Sequence, residues 1–234
     1  MTDPDPFFRH ERERMVREQI AGRGIADQAV LRAMREVPRE AFVDDALRDR
    51  AYDDSPLPIA ARQTISQPYI VGLMLEAARL HPGDRVLEVG AGSGYACAII
   101  SRIVARVVAI ERHAELAELA ARRLCELGYD NVELHTADGS AGWPAAAPYD
   151  AILVAASGPQ LPQPLLEQLA DDGRLVMPVG PDGAVQRLRR ATRTGPASWH
   201  EDDLGAVMFV PLVGTEGWAD AASRSSGAPL TFDE

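Results

Sequence analysis

Lysine is absent from all 234 residues, so each of the 24 basic side chains is an arginine. That excludes Schiff-base catalysis, lysine-held pyridoxal phosphate and the lysine of a phosphate-binding P-loop. Cysteine is scarce as well. Cys97 and Cys125 fall inside helical patterns without C-x-x-C spacing, which reads as two small buried thiols of a reducing compartment and not as a disulfide or zinc site. His10, His81, His113, His135 and His200 are scattered without ligand spacing, so no metal is expected. No apolar run reaches the ~18 residues of a membrane span, and "MTDPDPFFRHERER" lacks the basic-then-apolar order of a secretion signal. These absences point to a cytoplasmic chain with no membrane partner. Positive charge is also outweighed: 35 acidic residues leave a net charge of -11, which repels a phosphate backbone and argues against nucleic acid as a partner.

What is present is 46% hydrophobic residues, enough for one sizeable core. Apolar residues recur at three- and four-residue intervals from Phe7 to Ala21 and from Asp27 to Val37, predicting an N-terminal helical region with Asp27 as a cap and Pro38 as a stop. Residues 49–65 carry two prolines and no period, predicting an extended surface loop. From Arg85 onward, short apolar runs alternate with helical patterns: "RVLEVG", "RVVAIE", "NVELHTAD", "YDAILVAA" and "GRLVMPVG". This alternation predicts a doubly wound, mostly parallel α/β sheet with ligand at the carboxyl ends of its strands. "AVQRLRRATRT" and "GAVMFVPLVG" are expected to add an antiparallel edge.

"VLEVGAGSGY" sets Gly90, Gly92 and Gly94 between a strand and a helix. A dinucleotide fingerprint would need one more glycine where Tyr95 stands, and Glu88 would be badly placed beside a pyrophosphate. A carboxylate there suits a ligand with an ammonium group, as S-adenosylmethionine has. Glu111 ends the next strand, about 20 residues on, where an acid accepts from both ribose hydroxyls. Asp138 and Gly139 end the third, the first to accept from the adenine amine and the second to clear room for the ring. Taken singly, each acid could merely cap a helix or solvate a loop; the spaced series favours binding.

The fourth strand ends in "VAASGP", without the Asn/Asp-Pro-Pro-aromatic turn of base-amine methylation and without metal-ligating carboxylates at Ala155 and Ala156. In "QTISQPYI" Ser66 has no base nearby; local sequence makes it a helix cap before Pro68. A further reading comes from blocks spread along the chain to about Trp218. They are "VPREAFV", "AYDDSPLPI", "QTISQPYIV", "VLEVGAGSGY", "DGSAGWP", "APYDAILV", "LLEQLADDGRLVMPVG" and "FVPLVG". Together they resemble the protein-L-isoaspartate O-methyltransferase family, the Thr-Ile-Ser-x-Pro block most specifically.

The resemblance implies a Rossmann-like class I methyltransferase fold. Residues 1–80 would form the helical region and substrate loop, packed as one compact domain with an S-adenosylmethionine-binding core at 81–218, and 219–234 a flexible tail. It implies methyl transfer from S-adenosylmethionine to the free α-carboxyl of L-isoaspartyl residues in damaged proteins, carried out by a monomer. Ser66 would be the active-site hydroxyl, with Gln63, Thr64, Ile65 and Tyr69 around cofactor and substrate. Glu88, Gly90, Gly92, Glu111, Asp138 and Gly139 would hold the cofactor, and "FVPLVG" would line the peptide side. One departure is local: Ala60, Ala61 and Arg62 stand where the family has glycines, which costs ~1–2 kcal/mol if left-handed backbone is needed there. That departure keeps two alternatives open, methylation of an aspartate in one dedicated peptide and a non-catalytic binding homologue.

Overall fold

A computed structural model describes residues 5–220; the expected tail at 219–234 therefore lies outside the described residues from 221 onward. Helix α1 (Pro6–Arg14) is capped by the Asp5 carboxylate, which accepts from the Phe7 amide at 2.9 Å. The chain continues through a π-helical turn, Met15–Ile20, and stops at Gly24 in the left-handed region. Helix α2 (Gln28–Glu36) starts as its sequence predicts, with Asp27 accepting from the amides of Ala29 and Val30. It buries Val30, Leu31, Ala33 and Met34 on one face and ends where Val37 turns extended before Pro38.

The proline-bearing stretch differs from its expectation. It contains a small antiparallel hairpin, β1 (Leu57–Pro58) with β2 (Thr64–Ile65), joined by a 3-10 turn at Ala60–Arg62. Leu57 and Ile65 are buried, so the hairpin is pinned by two apolar anchors too short to register as a period. Helix α3 (Pro68–Ala78) follows at once, with Pro68 in its first turn and Gln67, not Ser66, at the cap position.

The core follows as β3 (Arg85–Val89), α4 (Tyr95–Ser101), β4 (Arg106–Glu111), α5 (Ala114–Glu126), β5 (Val132–Thr136), β6 (Tyr149–Val154), α6 (Gln163–Glu167), β7 (Leu169–Val179), β8 (Gln186–Gly195) and β9 (Ser198–Val207). The seven-stranded sheet has the order β5-β4-β3-β6-β7-β8-β9. Strands β5 through β7 are parallel, and β8 and β9 run antiparallel at the edge. This is the Rossmann-like class I methyltransferase architecture. The order reverses between β3 and β6, so loops leave these two strands in opposite directions and open a crevice at their carboxyl ends.

The last strand is not where the apolar run suggested. β9 occupies "SWHEDDLGAV", while most of the apolar segment beyond it leaves the sheet and bridges to the β6 loop, Leu212 N donating to Ser157 O at 2.8 Å. An edge strand is half solvated, so charge pairs replace apolar ones: Arg190 with Asp202 at 2.7 Å and Arg187 with Asp203 at 2.9 Å. One cluster of buried side chains runs from Phe8 in α1 through the sheet to Val207. Among the described residues no helix is long and apolar enough to cross a membrane.

Candidate active site

A cleft of about 950 Å³ opens at the carboxyl ends of β3, β4 and β6. Its floor is the glycine turn. Gly90 and Gly92 have φ of 87° and 54°, yet a side-chain carbon at either would meet only ordinary contacts, so the glycines are required for backbone shape and not for room. Their amides are already spent: Gly90 N donates to Ile110 O at 2.8 Å, and Gly92 N donates to the Glu111 carboxylate at 2.9 Å. These two amides are therefore not free to bind a ligand. A phosphate needs N–H donors, whereas this floor offers acceptors, and acceptors suit an ammonium group and sugar hydroxyls.

Glu88 supplies the first acceptor. It is 2% exposed, its Oε2 has no hydrogen-bond partner, and burial, partly offset by a bond from the Cys97 thiol, pushes its carboxyl up to about 8. A buried, unpartnered carboxylate oxygen is costly unless a cation completes it. Glu111 supplies the second. Each of its oxygens accepts one amide, from Gly92 and from His113, which leaves acceptor capacity on each, and the residue lines the cleft. These residues fit the ammonium and ribose of S-adenosylmethionine.

Gln63, Thr64, Ile65 and Ser66 line the wall opposite, carried by β2 and the turn into α3. The Ser66 carbonyl accepts from Arg39 Nη2 at 2.8 Å, and Arg39 Nε donates to Ala51 O at 2.7 Å. Arg39 is completely buried, with its guanidinium 4.7 Å above the Tyr95 ring. The serine backbone is thus fastened while its half-buried hydroxyl makes no hydrogen bond among the described residues. Ser66 does not cap α3.

Gly139 lines the cleft, but its need for glycine is a packing need, since a side-chain carbon would fall 2.5 Å from Val89 Cγ1. Two expected residues lie elsewhere. Tyr69 is on the outer side of α3, its ring stacked 3.5 Å under the Arg23 guanidinium. Asp138 faces the neighbouring hollow, and its oxygens accept from the amide and hydroxyl of Ser140 and of Thr215 at 2.7 to 3.2 Å. With roughly four acceptor sites on a carboxylate, none is left for an adenine amine. Burial works to raise its pKa, and the bonds from Thr215 and Ser140 outweigh it and hold the carboxyl below the usual range. Asp138 is the anchor of the 214–216 loop.

Among the lining residues that the sequence reading did not single out are Val185 and Met208, both exposed, which hold apolar surface at the mouth. The signal for Met208 was the apolar run that had been read as a strand. Phe209 to Val213 line the cleft as expected. Cys97 is buried behind Glu88, but Cys125 is exposed on the solvent face of α5, contrary to its expectation.

The chain is 57% identical over 222 residues to protein-L-isoaspartate O-methyltransferase 1 of Rhodopseudomonas palustris strain HaA2, covering 95% of this chain and 91% of that one. It is 57% identical over 209 residues to protein-L-isoaspartate O-methyltransferase 2 of Pelobacter propionicus, covering 89% and 93%. A solved protein-L-isoaspartate O-methyltransferase superposes with a TM-score of 0.79 at 28% identity over 89% of this chain and 67% of that one. A Plasmodium falciparum structure described as the same kind of enzyme, with S-adenosyl-L-homocysteine bound, gives 0.73 at 27% identity over 85% and 96%. With its family model matching residues 10–217, the chain belongs to the protein-L-isoaspartate(D-aspartate) O-methyltransferase family.

Proposed function

We propose that this protein methylates the free α-carboxyl of L-isoaspartyl residues in damaged proteins, using S-adenosylmethionine. The observation that carries the reading is a fastened serine with an unspent hydroxyl, facing a cleft whose floor holds an unpartnered buried carboxylate oxygen. When bound, S-adenosylmethionine supplies a methyl group on a sulfonium, which leaves as a neutral thioether once an acceptor oxygen takes the methyl.

Glu88 binds the ammonium group and Glu111 the ribose hydroxyls; Gly90 and Gly92 give the turn its shape, and Gly139 the packing behind it. Gln63, Thr64 and Ile65 close the opposite wall. No base is needed, because an α-carboxyl has a reference pKa of ~3.5 and arrives ionised. Ser66 donates its hydroxyl to one acceptor oxygen and fixes the direction in which the other approaches, a positioning effect that can be worth several kcal/mol. Ile65, Val89 and Ile110 in the lining exclude water from the approach. The peptide on either side of the damaged residue lies along Phe209 to Val213 and over Val185 and Met208. After release, the next peptide nitrogen attacks the ester carbonyl, methanol leaves, and the succinimide opens partly to normal aspartate. Action as a monomer belongs to the same proposal, and the mass in solution by light scattering checks it.

The test offers labelled S-adenosylmethionine with paired peptides that differ only in isoaspartyl or aspartyl linkage. Base-labile label is expected on the isoaspartyl member alone. Equal labelling of both, or of neither, sinks the proposal.

A further inference from the structure

The turn between β1 and β2 holds two successive residues, Ala61 and Arg62, at φ of 53° and 57°. That backbone is strained for any residue with a side chain and free of strain for glycine. The turn is held rigidly. Ile59 N donates to Gln63 O at 2.9 Å, Gln63 N to Ala60 O at 3.1 Å, and the Gln63 side-chain amide to Ala61 O at 3.2 Å. The hairpin therefore imposes the strain, and its second strained position is an arginine in the cleft lining.

Arg62 is exposed, lines the cleft four residues before Ser66, and its guanidinium has no ion pair or hydrogen bond among the described residues. Glu88 and Glu111 are buried at the floor, and Arg112 is paired with Asp220 at 2.8 Å. Asp182, exposed on the loop between β7 and β8, also lines the cleft. The mouth thus has one unpaired cation on the β2 side and one anion on the β8 side.

We propose that Arg62 is a specificity-determining residue, pairing with an acidic side chain that flanks the isoaspartyl residue of the substrate. The proposal rests on the carboxyl-methylation reading. Two features assign Arg62 to the flank and not to the acceptor carboxylate. It is exposed at the mouth, whereas the acceptor must reach the methyl near buried Glu88. A guanidinium on the acceptor would also draw electron density from the oxygen that has to attack. Asp182 repels an acid on its own side, so the peptide is recognised with a polarity across the cleft.

The test measures kcat/KM for isoaspartyl peptides bearing Glu, Gln or Arg on one flank at a time, in low and high salt. The parent is expected to favour Glu over Gln on one flank by up to about fivefold, chiefly through KM, with the preference erased by salt. Arg62→Gly, which fits the left-handed backbone, should bring the Glu/Gln ratio to one without lowering the melting temperature. Arg62→Lys should keep the ratio, because the charge is kept. A ratio of one in the parent on both flanks, or the same ratio in parent and Arg62→Gly, overturns the assignment. If no isoaspartyl peptide is methylated, the carboxyl-methylation reading falls first and this one with it; turnover of the Gln peptides separates the two failures.

Discussion

Glu88 carries a carboxyl held almost entirely out of water. Its carboxyl titrates near 8 in the folded protein against an ordinary 4.5, so between those values the folded chain holds a proton that the unfolded chain has released. The contribution is whole below about 4.5 and is lost as pH rises through about 8. Glu88→Gln should flatten the fall of unfolding free energy from about pH 5 to about pH 8, as read by urea titration; an unchanged slope would mean that the buried carboxyl is ionised throughout. Donor binding needs the ionised form, so parent affinity by calorimetry should rise from about pH 6 to about pH 7.5, where an α-amino group is still largely charged, and Glu88→Gln should show no such rise. Ser66 makes the complementary prediction. Its hydroxyl has no structural partner, so Ser66→Ala should leave the melting temperature and donor affinity within narrow limits while cutting turnover about ten- to a hundredfold, the value of one bond to a charged group. Unchanged turnover would remove Ser66 from the chemistry.

At the scale of elements, the cleft depends on how β2 is fastened. Arg39 joins the carbonyls of Ala51 and Ser66 from a fully buried position, a span that a lysine ammonium cannot bridge in the same fork. Arg39→Lys should therefore leave a buried carbonyl unpaired, cost about 1–3 kcal/mol in denaturant titration, and lower turnover more than donor affinity. A variant as stable and as active as the parent would show that the hairpin holds Ser66 unaided. Elements of this kind also mark the limit of what the sequence reveals. The strands β3, β4 and β6 are legible because burial on both faces requires nearly unbroken apolar runs. β9 is not legible, since its Arg and Asp ladder obeys the solvent and not the core. The hairpin is too short for any period, although the cost of Ala61 and Arg62 in left-handed backbone could be anticipated and is borne at both. Glu88 and Glu111 were readable as cleft-lining acids from strand-end spacing. Asp138 was not, because spacing cannot tell an acceptor facing a ligand from one saturated by a loop 77 residues away.

For the whole molecule, the question is whether the helices before residue 80 form a cap that moves on its own or part of one body with the sheet. The buried cluster answers in physical terms: Phe8, Met15, Ile20 and Met34 from the helical region share it with Val86, Ile99, Val107 and Leu188. Separating the two halves would expose apolar surface at a cost of about 25 cal/mol per Å². We therefore propose a single cooperative unit and expect one unfolding transition. The three tryptophans, Trp143, Trp199 and Trp218, all lie in the sheet half, whereas ellipticity at helix wavelengths reports α1, α2 and α3 as well. Fluorescence and circular dichroism should give the same midpoint and the same denaturant slope. A helical signal lost before tryptophan emission shifts would make the N-terminal region a separately melting cap, and the fastening of Ser66 through Arg39 would then be a contact that opens and closes.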